Sequence, residues 1–145
     1  MKRLLTTLLA CFMALAVNAQ TVTISPLPQK ISWGEEAFSN KTKFYVVGSA
    51  EADGDAINLL AESVEILGVS KKINAKKFPN AKPIVIGEVG DKAVKKFQGA
   101  VPDVKEGYYL KVAPEQVVIA GRDNSGTFYG VQSLLQVLSQ PQVMQ

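Results

Sequence analysis

Hydrophobic and polar positions follow two different periods along the chain, and these periods predict the elements of one layered domain. The run Lys43–Val47 is β-branched and aromatic, which predicts a strand. Apolar residues then recur at helical spacing, so we predict a helix over residues 57–67, capped by Asp53 or Asp55 and ended by Gly68. The apolar stripe of this helix comprises Ile57, Leu60, Ala61, Val64 and Leu67.

The second half of the chain predicts a buried strand, a hairpin and another helix. Residues 83–87 form a continuous apolar run typical of a strand buried on both faces, and residues 91–97 predict a short helix capped by Asp91. Residues 107–112 and 116–120 predict the two strands of a hairpin. Residues 127–138 predict a second long helix, whose stripe is Phe128, Val131, Leu135 and Leu138, with Leu134 beside it.

This order of elements predicts an α+β fold, or mixed α/β layer. We expect a partly antiparallel sheet of about four to six strands with helices packed on it. We place the domain at residues 20–140 and the start of a linker at residues 141–145, because the chain ends there in polar residues and a proline.

The N-terminus has the pattern of a secretory signal peptide. Lys2 and Arg3 precede an apolar run over residues 4–17, and small residues lead to a cleavage site between Ala19 and Gln20. The run is shorter than the roughly 20 apolar residues of a transmembrane helix. Residues 1–19 are therefore predicted to be removed on export to the periplasm or extracellular space, with no membrane segment afterwards.

Cys11 offers an alternative, because Leu-Leu-Ala before it resembles the box that precedes a lipidated cysteine. The apolar run before Cys11 is very short, and the residues after it are apolar too, whereas a mature lipoprotein usually begins with a polar tether. Ordinary cleavage after Ala19 is the preferred interpretation.

The predicted mature chain has no cysteine and the whole chain has no histidine. Disulfides are excluded after cleavage, as are Ser-His-Asp triads, Cys-His pairs and almost every zinc site. Removal of Lys2 and Arg3 lowers the formal charge from +3 to +1, so the basic balance is not a nucleic-acid signal. We predict no cofactor and no metal.

One cluster of basic residues remains after Lys2 and Arg3 are removed with the signal peptide. Lysines gather in the middle of the chain with few acidic residues between them, which indicates either a solvated face or a contact for an acidic polysaccharide. Aromatic residues are too sparse there for a base-stacking platform, so nucleic acid is not expected. The lysines are Lys71, Lys72, Lys76, Lys77, Lys82, Lys92, Lys95 and Lys96, and Arg122 is a further candidate anion contact.

No catalytic group emerges from the remaining motifs. Residues 87–90 (Gly-Glu-Val-Gly) and 121–126 (Gly-Arg-Asp-Asn-Ser-Gly) each join a predicted strand to a predicted helix, but neither has a phosphate-loop spacing, and turns with helix caps are the preferred interpretation. Close carboxylate pairs occur in segments that do not suggest a pocket, and the hydroxyl residues have no activating base. The pairs are Asp53/Asp55, Glu62/Glu65 and Asp103/Glu106.

Several motifs together resemble the N-terminal accessory domain of bacterial β-N-acetylhexosaminidases. They are residues 26–29 (Pro-Leu-Pro-Gln), 86–88 (Ile-Gly-Glu), 106–110 (Glu-Gly-Tyr-Tyr-Leu), 118–123 (Val-Ile-Ala-Gly-Arg-Asp) and 126–136 (Gly-Thr-Phe-Tyr-Gly-Val-Gln-Ser-Leu-Leu-Gln). Glycoside hydrolase families 20 and 84 share this domain. Residues 87–92 and 102–107 look closer to family 84, the O-GlcNAcase-like and hyaluronidase-like enzymes.

The resemblance implies a sheet with helices on one side, similar to the zincin fold but without its metal signature. It also implies that catalysis belongs to a following (β/α)₈ barrel, where carboxylates support attack by the substrate's own acetamido group. No catalytic residue transfers to this chain, which is expected to be inactive alone, and the second long helix is expected to pack against the barrel. The alternative function is a free-standing module that binds acidic polysaccharide through the lysines.

Overall fold

The computed structural model describes residues 38–49, 53–141 and 143. The predicted signal peptide, its cleavage site, Cys11 and the motif at residues 26–29 lie outside these residues. Strands and helices in chain order are β1 (Lys43–Val47), α1 (Gly54–Ser63), β2 (Ile66–Ser70), β3 (Ala81–Glu88), β4 (Tyr108–Ala113), β5 (Gln116–Gly121) and α2 (Asn124–Leu138), with a 3₁₀-helix at Lys95–Ala100 between β3 and β4.

The five strands form one mixed sheet in the order β2-β1-β3-β5-β4. Strands β2, β1, β3 and β5 run parallel, and β4 pairs antiparallel with β5. Because parallel neighbours need a crossover, α1 carries the chain from β1 to β2. The expected partly antiparallel α+β sheet is thus confirmed, whereas its likeness to zincins stays an expectation.

The central strands bury side chains on both faces. In β1, Phe44 and Val46 face the layer of α1 and α2, while Tyr45 and Val47 face the opposite layer. Strands β3 and β5 alternate in the same way, with Ile84 and Val85 as examples. This continuous burial is typical of parallel strands covered on both sides.

The two covering layers differ in regularity. Helices α1 and α2 cover one face, as expected, through Leu60 and Leu134 among others. Irregular connections cover the other face: the ring of Phe78 stacks on Tyr45 at 4.6 Å between centroids, and Phe97 stacks on Tyr109 at 6.1 Å. Aromatic side chains therefore cover this face of the sheet, as the helices cover the other.

Strand β2 was not predicted, and the helix predicted over residues 57–67 is the reason. Helix α1 ends at Ser63, and Val64 adopts extended backbone. Val64 and Ile66 still pack against the same core as Leu60, but from extended backbone rather than a helix. Gly68 does not end a helix; it lies in β2, where a Cβ would come 3.1 Å from the Phe78 ring.

The structure also differs from the predicted short helix over residues 91–97. Residues 91–97 do not form a helix capped by Asp91; the 3₁₀-helix begins at Lys95, and Asp91 closes the turn after β3 by accepting a hydrogen bond from the Glu88 N–H at 2.9 Å. Val143, within the expected linker, accepts a hydrogen bond from the Phe38 N–H at 2.8 Å and packs against the core.

Helix α2 approaches its neighbours closely through small residues. A Cβ on Gly126 would overlap the Gly107 carbonyl oxygen, and a Cβ on Gly130 would lie 2.6 Å from Ile119 Cγ2. The inward stripe therefore runs through Val131 and Leu134 rather than Phe128, which is only half-buried. The predicted stripe is turned too far towards Phe128, because the hydrophobic pattern does not reveal that Gly126 and Gly130 lie on the packed side of the helix.

We expect Gly126→Ala to destabilise the domain by about 2 kcal/mol, because the new methyl group overlaps backbone that cannot move aside cheaply. Gly54→Ala is the matched control, also in a first helical turn but with nothing within 4 Å, and should be neutral or stabilise by up to about 1 kcal/mol. Urea unfolding of both variants measures this, and equal effects would contradict the close approach.

Candidate functional site

The candidate lysines, apart from Lys82 in β3, lie in the connections that cover one face of the sheet or next to them. Each is exposed. Those between residues 71 and 77 precede Phe78, and those between 92 and 96 flank Val94, so both groups belong to the irregular layer. Lys77 Nζ lies 5.2 Å from the Phe78 ring centroid, a cation–π contact. Seven of the lysines thus share one layer, whereas Lys82 lies in β3 on the face of Ile84, and Arg122 directly follows β5.

Arg122 and the start of α2 are occupied by the protein's own acidic groups. The Arg122 guanidinium pairs with Asp103. The Asp123 side chain accepts hydrogen bonds from the Gly126 N–H at 2.8 Å and the Glu106 N–H at 3.0 Å. Because a carboxylate already lies at this helix N-terminus, the segment at residues 121–126 serves as a turn and cap, as preferred from the sequence.

The turn at residues 87–90 is also held by internal bonds. The Glu88 N–H donates to Asp91, and the Val89 N–H donates to the Gly121 carbonyl at 2.9 Å. These donors are unavailable to a phosphate group, which agrees with the interpretation as a structural turn.

A groove lies between α1 and α2, and the sequence analysis did not anticipate it. Its volume is about 510 Å³. Tyr129 is 41% exposed at its wall, beside the half-buried Phe128. The lining is Asp55, Asn58, Leu59, Glu62, Asn124, Ser125, Phe128 and Tyr129. Asp55 and Glu62 thus line a groove, contrary to the expectation that their segments suggest no pocket; the sequence treated each helix separately and could not show that they meet.

Carboxylates also gather at the carboxyl ends of the parallel strands. Asp53 follows β1, Glu88 is the last residue of β3 and Asp91 follows it, and Asp123 follows β5. Burial, then the negative charge of Asp91, raises the pKa of Asp53 to about 6. Burial also raises the pKa of Glu88, with Asp91 and Asp123 adding to the effect. The hydrogen bonds from the Glu106 and Gly126 backbones lower the pKa of Asp123.

The hydroxyl residues with described bonds stabilise the fold. Ser133 Oγ and the Tyr108 hydroxyl lie 2.6 Å apart and join α2 to β4. Thr127 Oγ1 donates to the Asp123 carbonyl at 3.2 Å. Within the described ranges, no three His, Cys, Asp or Glu side chains are arranged to hold a metal ion, and no helix is long and apolar enough to span a membrane.

A family model described as glycosyl hydrolase family 20, domain 2, matches residues 21–144. Since the match covers most of the chain, the chain belongs to this family. The predicted relationship to the accessory domain of hexosaminidases is thereby confirmed. The β-hexosaminidase of Porphyromonas gingivalis (strain ATCC BAA-308 / W83) is 30% identical over 118 residues, which are 81% of this chain and 14% of that protein. The chain thus spans about a seventh of this relative.

Solved structures share the fold. CpGH84D superposes with a TM-score of 0.65 at 21% identity, covering 82% of this chain and 21% of that one. A β-N-acetylhexosaminidase from Bacteroides fragilis NCTC 9343 gives a TM-score of 0.50 at 22% identity, covering 80% and 21%. The matching family model is that of family 20, whereas residues 87–92 and 102–107 favoured family 84; the likeness to CpGH84D is one of fold.

We expect Asp123→Ala to lower the melting temperature at pH 7, because two backbone N–H groups lose their acceptor. The pKa of Asp123 is lowered in the folded state, so its contribution is present above about pH 4 and is lost as the pH falls further. The loss should therefore shrink at pH 3. Asp55→Ala, an exposed first-turn carboxylate of α1, is the control; an equal effect at both pH values would contradict the assignment.

Proposed function

We propose that this chain is a non-catalytic accessory domain of an exported β-N-acetylglucosaminidase or hexosaminidase. The observation that carries this proposal is the family membership of residues 21–144 combined with coverage of only 14% of the P. gingivalis relative. Hydrolysis of terminal N-acetylhexosamine from glycans would then be the work of a (β/α)₈ barrel elsewhere in the polypeptide. The signal-peptide pattern of residues 1–19 supports export.

The described residues support the absence of catalysis in this domain. Retaining and inverting glycosidases place two carboxyl groups on either side of the scissile bond. Here Asp123 is committed to backbone hydrogen bonds and Asp91 to the turn after β3. Asp53 is buried, and Asp55 and Glu62 lie in an open groove without a histidine or lysine in its lining.

The groove between α1 and α2 is the surface we assign to contact with the barrel. It combines the apolar rings of Phe128 and Tyr129 with the polar edges of Asn58 and Glu62, which is the composition of contacts between domains of one chain. The exposed Tyr129 ring supports this assignment, because an aromatic side chain gains most when a partner covers it.

The docking proposal is tested by Tyr129→Ser, measured in this chain and in a longer polypeptide that continues through the barrel. In this chain the change should lower stability by only about 1 kcal/mol, because Tyr129 is already 41% exposed. In the longer polypeptide it should lower the melting temperature by several degrees. Ile73→Ser, at 57% exposure and outside the groove, is the control and should behave alike in both.

Activity is measured in the same experiment with a chromogenic N-acetylglucosaminide. This chain should release no more chromophore than buffer, and the longer polypeptide should hydrolyse the substrate. Hydrolysis by this chain would overturn the non-catalytic role, whereas equal sensitivity to Tyr129→Ser in both forms would overturn only the docking surface. A reading frame that stops at codon 145 would favour the second candidate.

That second candidate is a free-standing module that binds acidic polysaccharide. It is favoured by the exposure of all eight lysines and by the placement of seven of them, all but Lys82, in or beside the connections that cover one face of the sheet. Lys71 and Lys72 have no partner among the described ion pairs, so their charges are available to a polyanion.

If this candidate is right, titration with hyaluronan at physiological salt should give saturable binding that weakens as salt is raised, because the contacts are charge contacts. Replacing Lys71, Lys72, Lys95 and Lys96 by glutamine should abolish the binding, and Lys43→Gln is the control because Lys43 pairs with Glu65 at 3.0 Å on another element. Absence of saturable binding would remove this candidate.

A further inference from the structure

Asp53 occupies an unusual position at the start of α1. It is the N-cap residue by backbone position, yet its side chain makes no capping hydrogen bond. The backbone is held instead: the Asp53 N–H donates to the Ser49 carbonyl at 2.9 Å, and the Ile57 N–H donates to the Asp53 carbonyl at 2.9 Å. The side chain lies close to the end of β1, where Oδ2 would be 3.7 Å from a Cβ on Gly48.

The carboxyl group of Asp53 is buried with little to compensate for its charge. The residue is 1% exposed, and neither Oδ1 nor Oδ2 has a hydrogen-bond partner. An ionised carboxylate is costly in such a place, and a buried group relieves that cost by taking up a proton. Among the described residues this combination of burial and missing partners occurs at Asp53 alone.

The charged groups around Asp53 add to the cost rather than offset it. From the turn after β3, Asp91 and Glu88 both act on it as negative charges. From the start of α2, Asp123 acts on Glu88 in the same way. The backbone of Ser49 favours the ionised form, but burial and the charge of Asp91 outweigh it, and no lysine or arginine contributes.

This position is also where the connections of the sheet change from one face to the other. From β1 the chain crosses to β2 by α1 on one face, and β3 lies on the other side of β1, reached by residues that cover the opposite face. The carboxyl ends of β1 and β3 are thus a switch point, where α/β sheets commonly bind ligands. No described carboxylates are arranged for a metal ion, and Asp53 is closed to solvent, so the cation that fits is a proton.

We propose that Asp53 is a proton-binding site at the carboxyl edge of β1, with Glu88 as a weaker second group, and that it makes the domain more stable in mildly acidic than in neutral solution. The folded state holds this proton up to about pH 6, whereas the unfolded chain releases it near its ordinary value of 3.8. Stability therefore decreases as the pH rises through that interval. Asp123 acts in the opposite direction only below about pH 4.

The test compares melting temperatures of the whole chain at pH 5 and pH 7.5. The unmodified protein should melt at least about 5 °C higher at pH 5. Asp53→Asn should remove most of this difference, even if the buried amide lowers both values. Glu62→Gln, an exposed carboxylate of the same helix, should retain it. An Asp53→Asn protein that keeps the full difference would overturn the proposal.

A direct titration provides the second measurement and does not depend on a variant that folds. The ¹³C resonance of the Asp53 carboxyl group should titrate near pH 6 in the unmodified chain. Asp91→Asn retains an oxygen for the Glu88 N–H but removes the neighbouring charge, so it should lower the titration midpoint. A midpoint near pH 4 in the unmodified chain would overturn the proposal.

Discussion

Burial of β1, β3 and β5 on both faces is the constraint on which the rest of the structure depends. A strand such as β3, with Ile84, Val85 and Ile86 in sequence, exposes apolar surface on both sides unless two layers cover it. Two helices supply one layer. Turns, a short 3₁₀-helix and the rings of Phe78 and Phe97 supply the other. Each connection between strands therefore passes over a face of the sheet whose apolar side chains it buries.

The same constraint explains why the charged groups lie where they do. Lysines occupy the outer surface of the irregular layer because the inner surface is taken by aromatic and β-branched side chains. Carboxylates collect at the carboxyl ends of the strands, where backbone N–H groups donate hydrogen bonds to them: Asp91 accepts one such bond and Asp123 accepts two. Asp53 shares that edge without such partners.

The sequence predicts elements well where a single period dominates. Strand β1 and the hairpin of β4 and β5 follow the predicted residues closely, and α2 begins three residues before its predicted start. Strand β2 was missed because Val64 and Leu67 continue a helical spacing, although the chain had already turned into extended backbone. Periodicity reports which residues are apolar, and tertiary contacts decide which backbone presents them.

The candidate surfaces were harder to predict from the sequence than the strands and helices, because they are formed by residues far apart in the chain. Asp55 and Tyr129 are 74 positions apart in sequence, and only the packing of α1 against α2 makes them walls of one groove. Asp53 looked like an ordinary cap, because sequence alone does not show that its side chain is turned inward. The family, by contrast, was predicted from sequence motifs such as residues 126–136, and the family match over residues 21–144 confirms it.

The backbone bond between Phe38 and Val143 has a mechanical consequence. It joins the first and last described residues of the domain, so polypeptide arriving before Phe38 and polypeptide departing after Val143 meet at one point. A force that separates the two ends acts first on this hydrogen bond and on the packing of Phe38 and Val143 against the core. Segments attached at these two ends would leave the domain side by side and not from opposite poles.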